Sequence, residues 1–142
     1  MTERPEEVGP VRARLWTAGA GLAVVAAGLG IRSVGRGPVA EHAGDALYTV
    51  LVLTLVVLVA PRIRPGIAAS AALGFSCAVE LFQLSGIPAQ LATHAPLARL
   101  VLGTSFNAPD LLWYAVGAAF GWTVHRAVRT RRGPGQSLGT TG

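Results

Sequence analysis

The sequence predicts an all-α membrane protein, a polytopic four-helix bundle with a short interfacial or re-entrant segment between spans three and four. Of its 142 residues, 51% are hydrophobic and 13% are charged, whereas soluble domains carry about 25% charged residues. The mean hydropathy is +0.50. The charged residues are also gathered between long uncharged runs, although a soluble domain needs polar residues over its whole surface. Together these observations exclude an ordinary soluble domain.

Four apolar runs predict the membrane spans, at residues 15–31, 45–60, 66–87 and 108–125. The first span gives about 25 Å of helix at 1.5 Å per residue, near the lower limit for crossing a bilayer. Residues 31–44 read as a Gly/Pro loop. The apolar piece 97–102 is too short to span, so the segment 88–107 is predicted to be interfacial or re-entrant. Residues 11–132 then form one transmembrane domain, flanked by disordered cytoplasmic tails at 1–10 and 133–142.

The arginines predict the orientation in the membrane. All twelve basic residues are arginine, and nine of them lie in the two tails and the middle loop. Only Arg32, Arg36 and Arg99 lie in the other two loops. Because basic residues accumulate on the cytoplasmic side, both termini are expected to lie in the cytoplasm.

The net charge of +5 does not indicate a nucleic-acid partner. Binding nucleic acid needs basic residues on one folded face, preferably among stacking aromatics. Here the arginines flank the apolar runs, so the predicted partner is the lipid bilayer, and oligomerisation is left open. The single cysteine, Cys77, cannot form an intramolecular disulfide, and no Cys/His spacing predicts a metal site. No catalytic motif and no cofactor are predicted, although the sequence does not exclude an enzyme.

Glu80 is the most informative polar residue because it lies inside the third span. An ionisable residue there costs roughly 2.5–3.5 kcal/mol on insertion scales and normally faces the bundle interior. Ser76, Glu80 and Gln83 share one helical face. Two readings stay open, a functional carboxyl and a group that only hydrogen-bonds neighbouring helices.

Two further acids are expected near Glu80. Asp45 and Asp110 lie at the outer starts of spans two and four, so three carboxyl groups are predicted to converge in the outer half of the bundle. Asp110 also fits a helix start after Asn107 and Pro109, near the positive end of the helix dipole. On the same stripe as Asp110, Tyr114 points at another helix.

Arg99 completes the predicted polar pocket. It is expected to pair with Glu80 or Asp110, or to hold a lipid phosphate by its planar guanidinium. The alternative is that its side chain only reaches the membrane interface.

Small residues predict where helices approach closely. Gly66, Ser70, Gly74 and Ala78 form a ridge on span three, and Gly117-x-x-x-Gly121 is a close-packing motif on span four. Phe75, Val79 and Phe82 fall on another side of span three, which is expected to face lipid.

An ordered set of short motifs resembles a family of small bacterial four-span membrane proteins, domain of unknown function 2809. The motifs are Gly44-Asp45-Ala46-Leu47-Tyr48, Glu80-x-x-Gln83, 102–106 (Leu-Gly-Thr-Ser-Phe) and Asp110-x-x-x-Tyr114-x-x-Gly117. The resemblance covers about residues 28–122 and implies the same fold and the same polar residues, but no reaction. Glu80-x-x-Gln83 with a later Asp is also similar to VanZ-like proteins, which are linked to glycopeptide resistance. The Asn that usually follows that family's Asp is missing here.

The sequence therefore predicts a pocket that binds a polar or cationic head group from a lipid or the envelope. Three alternatives are a proton or cation path through Glu80, a VanZ-like envelope or resistance role, and a structural accessory subunit. A path needs polar residues reaching the cytoplasmic side, and spans one and two offer almost none below Thr49 and Thr54.

Overall fold

The computed structural model describes residues 8–132, and within that range the regular structure is entirely helical. The six helices described are α1 (Val8–Val34), α2 (Pro38–Val59), α3 (Pro65–Gln83), α4 (Ile87–His94), α5 (Pro96–Leu102) and α6 (Ala108–Arg132). The predicted all-α class is confirmed.

The loop between the first two long helices is much shorter than predicted. Instead of 31–44 it covers residues 35–37, because Gly37 ends it with a φ of +100° and Pro38 begins α2. Proline suits the first turn of a helix, where its missing N–H would have no partner, and Glu41 in that turn favours the positive end of the dipole. The Gly-Pro pair therefore starts a helix rather than extending a loop.

The first helix also extends further than predicted. It begins at Val8, inside the segment read as a disordered tail. The remainder of that tail, residues 1–7, and the predicted tail at 133–142 lie outside the described residues.

Helix α2 is the centre of the bundle. It packs against α1, α3 and α6, and α6 also packs against α3, whereas among the described helices α1 packs on α2 alone. The apolar core is small and lies between α2 and α3, where Leu53 packs with Ala68 and Ala72. Between the same two helices, about one turn from this core, Thr49 on α2 donates a buried hydrogen bond of 3.0 Å to Ser76 on α3.

Three helices are long and apolar enough to cross a membrane: Val11–Val34, Pro38–Val59 and Pro65–Gln83. Their outer faces expose large apolar side chains such as Leu22, Leu55 and Ile67, which a bilayer would cover. Helix α6 is as long but more polar, because Asp110 lies in its first turn and three arginines lie in its last turn. A fourth crossing by α6 stays a prediction.

The segment predicted to be interfacial or re-entrant contains two short helices. Helix α4 has eight residues and α5 has seven, and α5 contains the apolar piece 97–102. Leu91, Leu97 and Leu100 on these helices are exposed. Both helices pack on the end of α3, beside the end of the bundle where α2 and α6 begin.

Candidate functional site

A large cavity occupies the end of the bundle where α2 and α6 begin and α3 ends. Its volume is about 920 Å³. The six residues predicted for a polar pocket all line it: Asp45, Glu80, Gln83, Arg99, Asp110 and Tyr114. The antiparallel arrangement explains this, since the N-terminal halves of α2 and α6 meet the C-terminal end of α3.

Glu80 lies at the buried side of this cavity, with 1% of its surface exposed. The backbone N–H of Asn107 donates a 2.6 Å hydrogen bond to its Oε1, and the hydroxyl of Tyr114 donates a 2.9 Å bond to its Oε2. Both carboxyl oxygens are therefore used within the protein, and neither is paired with Arg99. The geometry matches the reading of Glu80 as a group that joins helices.

Asp110 is oriented by the residue that precedes α6. The side-chain amide of Asn107 donates a 2.6 Å hydrogen bond to Asp110 Oδ1. The backbone of Asn107 also accepts a bond from the N–H of Asp110. Asn107 directly precedes the helix and connects two acids, because its backbone N–H binds Glu80 while its side chain binds Asp110.

Asp45 and Asp110 come close to His42, which the predicted pocket did not include. A ring nitrogen of His42 and carboxylate oxygens of Asp45 and Asp110 all lie within 4.8 Å of one another. The imidazole stacks on Trp113, with ring centroids 5.1 Å apart and an angle of 14° between the planes. This stacking fixes the imidazole beside the two carboxyl groups.

Gln83 holds the loop that closes the cavity. Its Nε2 donates a 2.6 Å hydrogen bond to the carbonyl of Leu102, at the end of α5. The next residue, Gly103, has a φ of +67°, and a Cβ there would lie 2.6 Å from Gln83 Nε2. A residue with a side chain would be strained at this positive φ, and its Cβ would displace the Gln83 amide, so glycine fits this position best. Gln83 therefore acts first as a support for the chain between α5 and α6.

The remaining walls of the cavity differ in character. On one side α1 supplies apolar residues, among them Val24, Val25 and Leu29. At the rim, Arg32, Arg36 and Glu41 are exposed and charged, as is Arg99 on α5. The cavity thus combines an apolar wall with carboxyl groups inside and arginines around the opening.

The predicted close-packing motif on α6 lies in a tight interface. Gly117 and Gly121 are both buried against α2, where a Cβ on Gly117 would collide with the backbone of Ala46. At Gly121 the nearest atom to such a Cβ is Leu53 Cδ1, at 2.8 Å.

The small-residue ridge predicted on α3 lies elsewhere than expected. Gly66, Ser70 and Gly74 are exposed, and no described atom lies within 4 Å of a Cβ built on either glycine. Ala68 and Ala72 form the buried ridge instead, each with 0% of its surface exposed. The buried face of α3 is thus set by alanines two residues further along the chain.

The face of α3 expected to meet lipid also needs a correction. Phe75 and Phe82 are exposed, but Val79 is 92% buried, with 8% exposed. Val79 directly precedes Glu80 and lines the cavity. The buried face of α3 is therefore wider than the stripe of Ser76, Glu80 and Gln83, because it also includes Val79.

The pocket predicted from the sequence did not include His42, Trp113, or Asn107 as a partner of Glu80. A signal for His42 was present, because His42-x-x-Asp45 places both side chains on one face of a helix. Because residues 31–44 were interpreted as a loop, this helical spacing was not recognised. The contact with Trp113 joins distant parts of the chain and has no local signature.

A comparison with protein-family models identifies the family of this chain. The family model described as Protein of unknown function (DUF2809) matches residues 34–118, more than half of the chain. The chain belongs to this family. The DUF2809 match contains α2 to α5 and the start of α6, and so it includes the polar residues of the cavity apart from Arg32. No curated protein and no solved structure matches the chain.

Proposed function

We propose that the cavity binds an amphiphile, with its polar or cationic head group beside Asp45 and Asp110 and its apolar part along α1. One observation carries this proposal: a single cavity of about 920 Å³ is lined both by those acids and by Val24, Val25 and Leu29. Small-molecule sites have the same composition, largely apolar walls with a few polar groups that fix the orientation.

The acids give the proposed site its preference for a cationic head group. An ammonium group interacts more strongly with carboxylates in a water-poor environment than in water. The arginines at the rim offer a second contact for the phosphate of a zwitterionic lipid. Glu80 has a different part in this proposal, since its oxygens bind Asn107 and Tyr114 and so position α6.

The proposed setting is the outer leaflet of a bacterial inner membrane, with both termini in the cytoplasm. The excess of arginines in the tails and the middle loop supports this orientation. The length of α6 and its packing along α2 and α3 support a fourth crossing. The cavity then faces the envelope side.

The described interior supports binding more than transport through Glu80. Below Glu80, the buried polar groups are Ser76 and Thr49, which bond to each other. Further along, Leu53, Ala68 and Ala72 close the bundle with apolar side chains. A VanZ-like role is supported only by Glu80-x-x-Gln83 and a later acid.

The experiment is to extract the protein with its native lipids in polymer-bounded discs and to measure retained lipids by mass spectrometry. We expect enrichment of an amine-bearing lipid in the wild type and its loss in an Asp45→Asn/Asp110→Asn double variant. Glu41→Gln is the matched control, because it removes an exposed acid at the rim. An identical lipid profile in wild type and double variant contradicts the proposal.

A further inference from the structure

Three metal-ligating side chains from two helices converge at the start of α2 and α6. A ring nitrogen of His42 and carboxylate oxygens of Asp45 and Asp110 lie within 4.8 Å of one another. His42 and Asp45 are three residues apart on α2, so the helix itself places them on one face. Asp110 reaches the same point from the first turn of α6. We infer that these three residues bind a divalent transition-metal cation.

The chemistry of the ligand atoms selects the class of cation. Imidazole nitrogen suits Zn²⁺ and its first-row neighbours, whereas sites for Mg²⁺ and Ca²⁺ are built from oxygen alone. Metal–ligand distances of about 2.0–2.2 Å bring the ligand atoms of a zinc site closer together than the 4.8 Å limit. Metal binding would therefore draw the two carboxylates toward the stacked imidazole, and the cation would remove the repulsion between them.

His42 supplies an observation that the acids do not. Its Nδ1 is buried and has no hydrogen-bond partner among the described residues. Buried polar atoms are nearly always paired, so an atom of this kind indicates a partner such as an ion or an ordered water. The stack on Trp113 holds the ring in place, with its centroid 5.1 Å from that of the indole.

Asp110 has the outer support that metal-binding carboxylates usually have. The amide of Asn107 donates to Asp110 Oδ1 at 2.6 Å. Such contacts around a metal site orient the ligand, and their loss typically lowers metal affinity by 10–100-fold. Asn107 itself is fixed through its backbone bond to Glu80. The buried carboxyl of Glu80 thereby supports the metal site without touching it.

Three protein ligands leave at least one coordination position open. Asp45 and Asp110 also line the large cavity, so a ligand entering the cavity can reach the cation. The metal site does not depend on the proposed binding of an amphiphile, since it rests on His42 and on the convergence of the three side chains. A bound cation and an ammonium head group would compete for the same two acids.

The test is calorimetric titration of the purified full-length protein with ZnCl₂ in lipid-free detergent, using an affinity tag without histidine. We expect one Zn²⁺ per chain and at least tenfold tighter binding of Zn²⁺ than of Mg²⁺. His42→Gln and Asp110→Asn should each weaken Zn²⁺ binding at least tenfold, with thermal unfolding of each variant checking that it folds. Asn107→Ala should weaken Zn²⁺ binding less than either of these two variants, because Asn107 only orients Asp110.

Matched controls separate this site from other acids and histidines. Glu41→Gln removes an acid one residue away from His42, and His94→Gln removes a histidine on α4, outside the cluster. Both should bind Zn²⁺ as the wild type does. Stoichiometric binding that His42→Gln and Asp110→Asn leave unchanged overturns the inference, as does an absence of binding or an equal affinity for Mg²⁺. The lipid measurement is separate, so either proposal can fail alone.

Discussion

The hydroxyl of Tyr114 donates a 2.9 Å hydrogen bond to Glu80 Oε2, and this bond joins α6 to α3 beneath the cavity. The other carboxyl oxygen of Glu80 accepts the backbone N–H of Asn107, directly before α6. One buried side chain therefore fixes both the start of α6 and its second turn. Since Asp110 lies between these two points, Glu80 determines where that acid is presented.

Replacing Glu80 by Gln should leave thermal stability in detergent nearly unchanged. The Gln oxygen can accept the N–H of Asn107, while its amide can donate to the Tyr114 oxygen once that hydroxyl rotates. Glu80→Ala removes both bonds and leaves buried donors unpaired, which costs about 1–3 kcal/mol for each group. Thermal unfolding of the two variants measures the difference.

Complementation of a deletion strain extends this comparison to function. Glu80→Gln should complement if the residue only positions α6, and Glu80→Gln combined with Asp45→Asn and Asp110→Asn should not. Equal damage from Glu80→Gln and Glu80→Ala would mean that the charge itself is required. Full complementation by the triple variant would contradict any functional pocket, and helix packing would then suffice.

The helical class could be predicted because apolar runs are a local property of the sequence. The convergence of Asp45, Glu80 and Asp110 could be predicted because successive helices alternate in direction, which determines which helix ends lie together. The partners of Glu80 could not be predicted in this way, since Asn107 is 27 residues away and contributes a backbone N–H. No side-chain pattern in the sequence marks a backbone donor.

The buried hydroxyl pair between α2 and α3 should contribute little to stability on its own. Thr49→Val and Ser76→Ala each remove one side of the 3.0 Å bond. Hydrogen bonds between helices in membranes average about 0.6 kcal/mol. A double-mutant cycle on unfolding free energies should therefore give a coupling of about that size. A coupling above about 2 kcal/mol would indicate that the pair belongs to a larger polar network.

Gly117→Ala should destabilise the bundle, whereas Gly74→Ala should not. The new Cβ at Gly117 meets the rigid backbone of Ala46, and overpacking of this kind costs typically 1–3 kcal/mol. At Gly74 no described atom lies within 4 Å, so the same substitution meets no obstacle. Gly121→Ala should fall between them, because Leu53 Cδ1 is the movable end of a side chain. Unfolding midpoints in detergent measure the order, and equal midpoints for Gly117→Ala and Gly74→Ala would contradict the packing.

The position of the packing ridge on α3 shows what periodicity cannot supply. Gly66, Ser70 and Gly74 have the right spacing and the right size, but Ala68 and Ala72 have the same spacing and are buried. Two small-residue rows on one helix are equivalent until a neighbouring helix is placed. Helix α2 meets the alanine row, since Leu53 packs there.

The orientation of the whole bundle is tested by reporter fusions. Fusions after Arg64 and after Arg132 should report cytoplasm, and one near Arg36 should report the outside. Arg36 lies between α1 and α2 and Arg64 directly before α3, so the antiparallel packing puts these two at opposite ends of α2. A cytoplasmic signal near Arg36 would reverse the charge argument and move the cavity to the inner leaflet. A signal from outside after Arg132, with the other two as expected, would mean that α6 packs against α2 and α3 without completing a fourth crossing.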